Sequence, residues 1–313
     1  LELIAGRPTG RLYEEDAWLR QRVNSEFPNL CNASKQLASY GITGLTDASP
    51  GNGGAVQEYF QQSQKSGHLL QRVRMMGSEE ITDCQITELL RTGELKIHLL
   101  ESQLPEFDSL CERIDTAHDS GRAVAVHCVT ITELVFTLSA FERCGVLDGD
   151  RIEHASVTPY EQLQIIQSMG LRVITQPHFV LERGDQYLNE VDAVDQPWLY
   201  RCASFINAGI PLAAGSDAPF GSADPWLAMN AAVQRQTHSG ELMGGSEALS
   251  PEQALVLYLS KPESPGMGAI SIEKGMPADL CLLKNPWSQL RNDLNHKHVR
   301  RTWLAGALSY DAS

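Results

Sequence analysis

Val124-Ala-Val-His127-Cys-Val-Thr130, followed by Arg151-Ile-Glu-His154-Ala155, decides how this chain is read. Each is a short apolar run that ends on a histidine, and a helix-like segment lies between them. Continuous apolar runs of this length are the signature of strands buried on both faces. Downstream, Pro211-Leu-Ala-Ala-Gly-Ser-Asp217-Ala-Pro219 repeats the pattern with a carboxylate at its end. Upstream, Glu94-Leu-Lys96-Ile-His98-Leu-Leu-Glu101 sets a lysine inside an apolar run. In a parallel α/β barrel the C-terminal ends of such strands converge on one mouth, where the chemistry sits. Two neutral imidazoles and a carboxylate gathered there are donors for a divalent metal.

The 313 residues can bury a large core, enough for one α/β barrel of roughly 250 residues and a small appendage. A formal charge of −14 argues against a nucleic-acid partner, because phosphate contacts need clustered Lys and Arg. Seven cysteines, at 31, 84, 111, 128, 144, 202 and 281, are scattered without a C-x-x-C pair, which points to reduced thiols in a cytoplasmic protein. No apolar run approaches the roughly 18 residues of a membrane span and no signal peptide opens the sequence, so no membrane partner is expected. The first residue is Leu rather than Met, as in a mature or truncated form.

Taken in order, residues 13–23 are expected to form a short helix and 32–41 a helix ended by Gly41. Strands are expected at 42–47, 69–76, 95–100, at the runs ending on His127 and His154, and at 171–176 and 212–215. Helices are expected at 54–67, 106–120, 198–208 and 225–237. Thr130-Ile-Thr-Glu133, Thr158-Pro-Tyr-Glu161 and Ser250-Pro-Glu-Gln253 read as capping boxes that open three more. Seven strand–helix units in strict alternation imply a parallel sheet, one unit short of the eight that close a barrel. From Gly266 the texture changes to short strands and turns, at 268–270, 278–283 and 299–308. The expected organisation is a catalytic barrel over 1–265 and a small β-sandwich segment over 266–313.

Gly41-Ile-Thr-Gly-Leu-Thr-Asp47, Val124-Ala-Val-His127, Arg151-Ile-Glu-His154-Ala155 and Thr175-Gln-Pro177 occur in this order. Gly215-Ser-Asp217-Ala-Pro219, Asp224-Pro-Trp226 and Gly268-Ala-Ile-Ser-Ile-Glu-Lys-Gly-Met-Pro-Ala-Asp279-Leu follow. Together they make the chain resemble the amidohydrolase superfamily, and within it the YtcJ-like group, from about Gly6 to Gly306. The resemblance implies an α/β, TIM-like (β/α)8 barrel joined to a small β-sandwich. It implies metal-dependent hydrolysis of carbon–nitrogen bonds other than peptide bonds, on a small-molecule substrate. The implied ligands are a carboxylated lysine at Lys96, His127, His154 and Asp217, with Asp217 also the general base. The implied cofactor is a divalent metal, zinc first, with iron or manganese suited to the same donors. Bound zinc lowers the pKa of its water from about 15.7 to about 7, which provides the attacking hydroxide.

One family feature is missing: no H-x-H pair follows a strand near the N-terminus. The only H-x-H, His296-Lys-His298, lies in the tail and reads as a surface coincidence. The sequence thus matches the family from its second strand onward, as expected if an N-terminal segment bearing the first strand is lacking. The half-site of Lys96, His127 and His154 could survive that loss, whereas Lys96 and Asp217 alone hold a metal poorly. Two unpaired sheet edges would then favour association into a homo-oligomer. A catalytically inactive remnant serving as an interaction module is the alternative reading, and a lyase or isomerase on the same scaffold is another.

Each residue also has a purely structural reading. Lys96 could be a buried amine paired with Glu101. His98, on the face of Lys96 by period two, could support the wall or reach substrate, and His178 could line the substrate pocket or only pack. Asp47 is expected to cap the next turn, Glu153 to point outward, and Arg183-Gly-Asp185 to lie in a solvated loop at the mouth, with contact to substrate as the alternative. His68, His118 and His238 are read as surface residues. Cys128 follows His127 on the opposite side of its strand, so the two cannot form a nucleophile–base pair. No G-x-S-x-G, P-loop or G-x-G-x-x-G is present.

Overall fold

A computed structural model describes residues 3, 4, 6–10, 18, 19, 22, 23, 26–81 and 87–313. Residues 13–17, 20 and 21 of the expected first helix, and Cys84, lie outside the described residues. Two compact units are present, Leu1–Leu30 and Cys31–Ser313. The first contains a short antiparallel ladder of β1 (Leu3–Ile4) and β2 (Arg7–Pro8).

Among the described residues of the second unit seven parallel strands lie side by side in chain order, curled as part of a barrel wall. They are β3 (Gly44–Asp47), β4 (Arg72–Gly77), β5 (Leu90–His98), β6 (Val124–Cys128), β7 (Arg151–His154), β8 (Arg172–Thr175) and β9 (Leu212–Ala214). The register aligns Ile97, Val126, Ile152, Val173 and Leu212 in one row across five strands. That row is buried in one cluster with Leu110 and Ile114 of α3 (Phe107–Asp119) and Leu134 and Phe141 of α4 (Ile131–Cys144). The apolar face of the sheet therefore looks outward to the helices, which bury it at roughly 25 cal/mol per Å². The alternate row, Glu94, Lys96, His98, Ala125, His127, Arg151 and Glu153, faces the inside. Glu153 is thus an interior residue rather than an outward one.

The strand–helix alternation is as expected, with local differences. The first two helices of the unit are α1 (Cys31–Ser39) and α2 (Gly54–Lys65). Thr130 and Glu133 make the expected capping box of α4. Ser250 and Gln253 make another at α9 (Pro251–Val256). Thr158 makes none: α5 (Tyr160–Met169) starts after Pro159, and the Thr158 hydroxyl donates to Ala155 O at 2.9 Å. A twelve-residue helix, α6 (Phe179–Glu190), stands where the sequence reading puts a loop around Arg183-Gly-Asp185. The helix expected over 198–208 shrinks to α7 (Ala203–Asn207), and the one expected from Pro225 is α8 (Pro225–Gln234).

The tail forms a single three-stranded antiparallel sheet, β10 (Leu280–Leu283), β11 (Val299–Leu304) and β12 (Ala307–Asp311). Residues 268–270 are not a strand, and the stretch expected as one strand over 299–308 folds back at Ala305 and Gly306. Both have positive φ, 48° and 80°, as a two-residue hairpin turn requires. Thr302 Oγ1 donates to Ala38 O at 2.8 Å and Arg72 Nε to Asp279 Oδ2 at 2.6 Å, tying this sheet into the Cys31–Ser313 unit. Among the described residues six cysteines are free, and no helix is long and apolar enough to cross a membrane.

Candidate active site at the barrel mouth

Lys96 projects inward from β5 and is 5% exposed, while His98, two residues on, sits at the strand's exposed end. Register sets His98 beside His127 and His127 beside Glu153. His154 follows Glu153 directly, and simple alternation would send it outward with Cys128. Instead its φ is 72° and that of Ala155 is 47°, an uncommon left-handed backbone for residues with a Cβ. This turn swings the His154 ring to the interior. The ring centroids of His98 and His127 are 4.3 Å apart, and those of His127 and His154 4.4 Å apart, both nearly edge-on. Three imidazoles from three adjacent strands thus form one row at the mouth. Asp217 lies beyond β9 with φ 50°, and its loop is closed by Phe220 N donating to Asp217 O at 2.8 Å.

Below the row, charged side chains fill the inner wall. Arg74 donates to Glu94 at 3.0 Å, and Arg151 reaches Glu94 at 3.4 Å and Glu153 at 2.8 Å. Burial raises the Glu153 carboxyl, but Arg151 and then Lys96 outweigh it and hold it below its ordinary value. Burial likewise lowers the Lys96 amine, opposed by the Glu153 carboxylate. The carboxylates whose charge acts on Lys96 are therefore Glu153 and Asp217, not Glu101, which accepts from the Thr132 hydroxyl at 3.1 Å. Burial pushes Asp217 up to about 6, moderated by Lys96 and then Arg183. Burial and the neighbouring His154 push His127 far below the usual imidazole range, and burial first, with Lys96, brings His154 to about 4. Both imidazoles are neutral at pH 7.

His154 Nδ1 lies 2.8 Å from Gln176 Oε1. An amide oxygen only accepts, so Nδ1 carries the hydrogen and Nε2 keeps its lone pair. That is how protein scaffolds orient metal-binding histidines. Among the described residues no three His, Cys, Asp or Glu side chains form a ready metal cage. His127, His154 and Asp217 are nevertheless of the donor types that a divalent cation takes, and Lys96 joins them only once its amine has lost its proton.

His178 is fully buried, with Nε2 donating to Ser216 O at 3.0 Å and Nδ1 without a hydrogen-bond partner among the described residues. It supports the 215–221 loop from beneath, where a Cβ on Gly221 would meet His178 Nε2 at 2.4 Å. Asp47 caps its turn as expected, accepting from Ser49 N at 2.9 Å and Asn52 Nδ2 at 2.8 Å. His68 and His238 are exposed, but His118 sits 2.9 Å from the buried Asp150 carboxylate. The H-x-H pair is structural: His296 binds Asp224, the N-cap of α8, and His298 binds Asp293 at 2.8 Å. The sequence reading does not single out Gln176, Arg151 or Glu94. Gln176 stands inside a recognised motif, and a period-two count along β5 would have placed Glu94 on the face of Lys96.

The amidohydrolase family profile matches residues 3–310. YtcJ of Bacillus subtilis (strain 168), a protein with an amidohydrolase name, is 27% identical over 224 residues, 67% of this chain and 42% of YtcJ. The N-substituted formamide deformylase of Arthrobacter pascens is 28% identical over 166 residues, 51% of this chain and 31% of that enzyme. The chain thus spans less than half the length of these curated relatives. Among solved structures, an uncharacterized metal-dependent hydrolase from Pyrococcus furiosus superposes with a TM-score of 0.65 at 24% identity, covering 79% of this chain and 58% of that one. Its counterpart from Pyrococcus horikoshii OT3 gives 0.63 at 23%, covering 72% and 52%. A triazine hydrolase variant gives 0.60 at 15%, covering 94% and 74%. At these identities the superpositions establish the fold, and the profile match over nearly the whole length establishes the rest: the chain belongs to the amidohydrolase family.

Proposed function

We propose that this chain is a metal-dependent hydrolase that cleaves carbon–nitrogen bonds other than peptide bonds in a small-molecule substrate. The observation that carries the reading is the edge-on pair of neutral imidazoles, His127 and His154, 4.4 Å apart at the mouth beside the buried amine of Lys96. Lys96, His127, His154 and Asp217 would hold the cation, zinc first, with iron and manganese served by the same donors. A divalent cation bound there would supply Lewis acidity toward a water and the substrate carbonyl. Asp217, with its pKa near 6, accepts a proton at neutral pH and returns it to the departing nitrogen. The buried amine of Lys96 sheds its proton more readily than an exposed one, as carbamate formation requires. Gln176 keeps the free nitrogen of His154 turned to the mouth. The name of the Arthrobacter pascens relative makes N-substituted formamides the first substrates to try.

The test is metal analysis and turnover on the full chain, loaded with zinc, iron or manganese, against N-substituted formamides and other non-peptide amides. The expected result is bound metal that a His127→Ala/His154→Ala double variant loses, with turnover abolished in Asp217→Asn. Metal no higher than in the double variant would overturn the metal site, and turnover retained in Asp217→Asn would remove that residue as the base.

A further inference from the structure

We infer that Arg183 is the anion-binding residue of this site, holding a carboxylate carried by the substrate close to the bond that is cleaved. The inference rests on the hydrolase reading above and narrows its substrate class to N-acyl compounds with an acidic group.

Arg183 lies in the second turn of α6, the helix that leaves the end of β8 through Gln176-Pro177-His178 and so begins at the mouth. Its Nη2 donates to Phe220 O, three residues beyond Asp217 in the same loop. Its guanidinium carbon stands 4.3 Å from the centroid of the Phe179 ring. That ring is 2% exposed and held edge-on against Tyr200 at 5.7 Å. A planar cation stacked on a fixed ring and tied to one carbonyl is preorganised, so little side-chain entropy is lost when an anion arrives.

A guanidinium carries five N–H groups in a rigid fork, and no carboxylate lies within ion-pair distance of Arg183 among the described residues. The acids beside it on α6 are engaged elsewhere. Glu182 accepts from Ser222 N at 3.1 Å, and Asp185 accepts from Ser239 N at 3.0 Å and from the Ser239 hydroxyl. In a chain of net charge −14, a half-buried arginine bonded to the loop that carries Asp217, with no ion-pair partner among the described residues, is conspicuous. A substrate carboxylate seated on its fork would gain a charge-assisted, two-point hydrogen bond.

The competing role is a simple clamp that holds the 215–221 loop through Phe220. Paired probes separate the two: N-formylglycine, N-formylleucine and N-formylphenylalanine, each against its neutral carboxamide. Binding to the zinc-loaded full chain is measured by calorimetry and hydrolysis by release of the amine. At least one carboxylate should bind about 10- to 100-fold more tightly than its carboxamide. Arg183→Gln should erase that preference and leave carboxamide binding intact, and Arg183→Lys should restore part of it. Equal binding of acid and amide in all three pairs, including no binding, overturns the inference. So does an Arg183→Gln variant that weakens both members equally, the behaviour of a clamp. Arg183-dependent carboxylate binding without hydrolysis would support the subsite and sink the hydrolase reading. Equal hydrolysis of acids and amides, unchanged in Arg183→Gln, would do the reverse.

Discussion

Gln176 Oε1 and His154 Nδ1 are 2.8 Å apart, both in residues at most 6% exposed, and the contact fixes which imidazole nitrogen faces the barrel mouth. Gln176→Leu keeps the volume but removes the acceptor, leaving a buried N–H unpaired at a cost of about 1–3 kcal/mol. The freed ring can also rotate or change tautomer. Metal affinity at the proposed site should fall about 10- to 100-fold. Urea unfolding checks the first figure and zinc titration of folded protein the second. An unchanged affinity would mean that His154 is oriented by something else.

Arg151 sits between two buried carboxylates, 3.4 Å from Glu94 and 2.8 Å from Glu153, with all three side chains at most 7% exposed. Removing one partner of such a network strands the others. Arg151→Met should cost about 3–5 kcal/mol. The triple variant Arg151→Met/Glu94→Gln/Glu153→Gln should recover part of that loss, since the two carboxylates that Arg151 faced are neutralised with it, while Arg74 and Lys96 lose theirs. Denaturant unfolding of both variants decides it, and a triple variant no better than the single one would show that these charges are not what couples the three residues.

The strands and the four residues proposed as ligands are legible in the sequence because strand and helix alternate along it. In such a chain, a continuous apolar run that ends on His, encloses a Lys or leads to an Asp marks a buried strand that carries a polar group toward the barrel mouth. Glu153 is misplaced by the same logic: with His154 set inward, alternation turns its neighbour outward. The positive φ of His154, which lets both face inward, has no composition signal. Helix α6 escapes a sequence reading because Arg183-Gly184-Asp185 looks locally like a turn. Its glycine is there for space: a Cβ on Gly184 would meet Thr237 Cγ2 at 2.6 Å, a tertiary contact invisible in the local sequence.

That contact can be tested. In an open helix Gly→Ala stabilises by up to about 1 kcal/mol through backbone entropy. At Gly184 the methyl must displace the buried Thr237, and overpacking of this kind costs about 1–3 kcal/mol. Gly184→Ala should therefore lower the melting temperature. A Gly184→Ala/Thr237→Ser double variant, with the opposing methyl gone, should regain part of the loss. A single variant more stable than the parent would show that the 237–243 loop moves aside at little cost.

Glu247 supplies the pH dependence. Its carboxylate is 3% exposed and accepts from Arg201 Nε at 3.1 Å, Cys202 N at 3.1 Å, Ser204 N at 2.8 Å and the Ser204 hydroxyl. Burial alone would raise its pKa, but the two Ser204 donors and then Arg201 outweigh it and hold the folded value below the ordinary 4.5. A carboxyl depressed on folding stabilises the native state above its unfolded pKa and loses that contribution as pH falls through the folded one. Glu247→Gln should thus destabilise at pH 7 by about 1–3 kcal/mol, because one oxygen then faces donors meant for two. Below pH 4.5 the unfolded parent takes up the proton first and the folded carboxyl only lower still, so the gap between parent and variant should close as pH drops through that window. Unfolding curves of the two proteins at pH 7, 5 and about 3 measure that gap, and a difference constant across the range would show that the Glu247 charge contributes nothing to holding α7 in place.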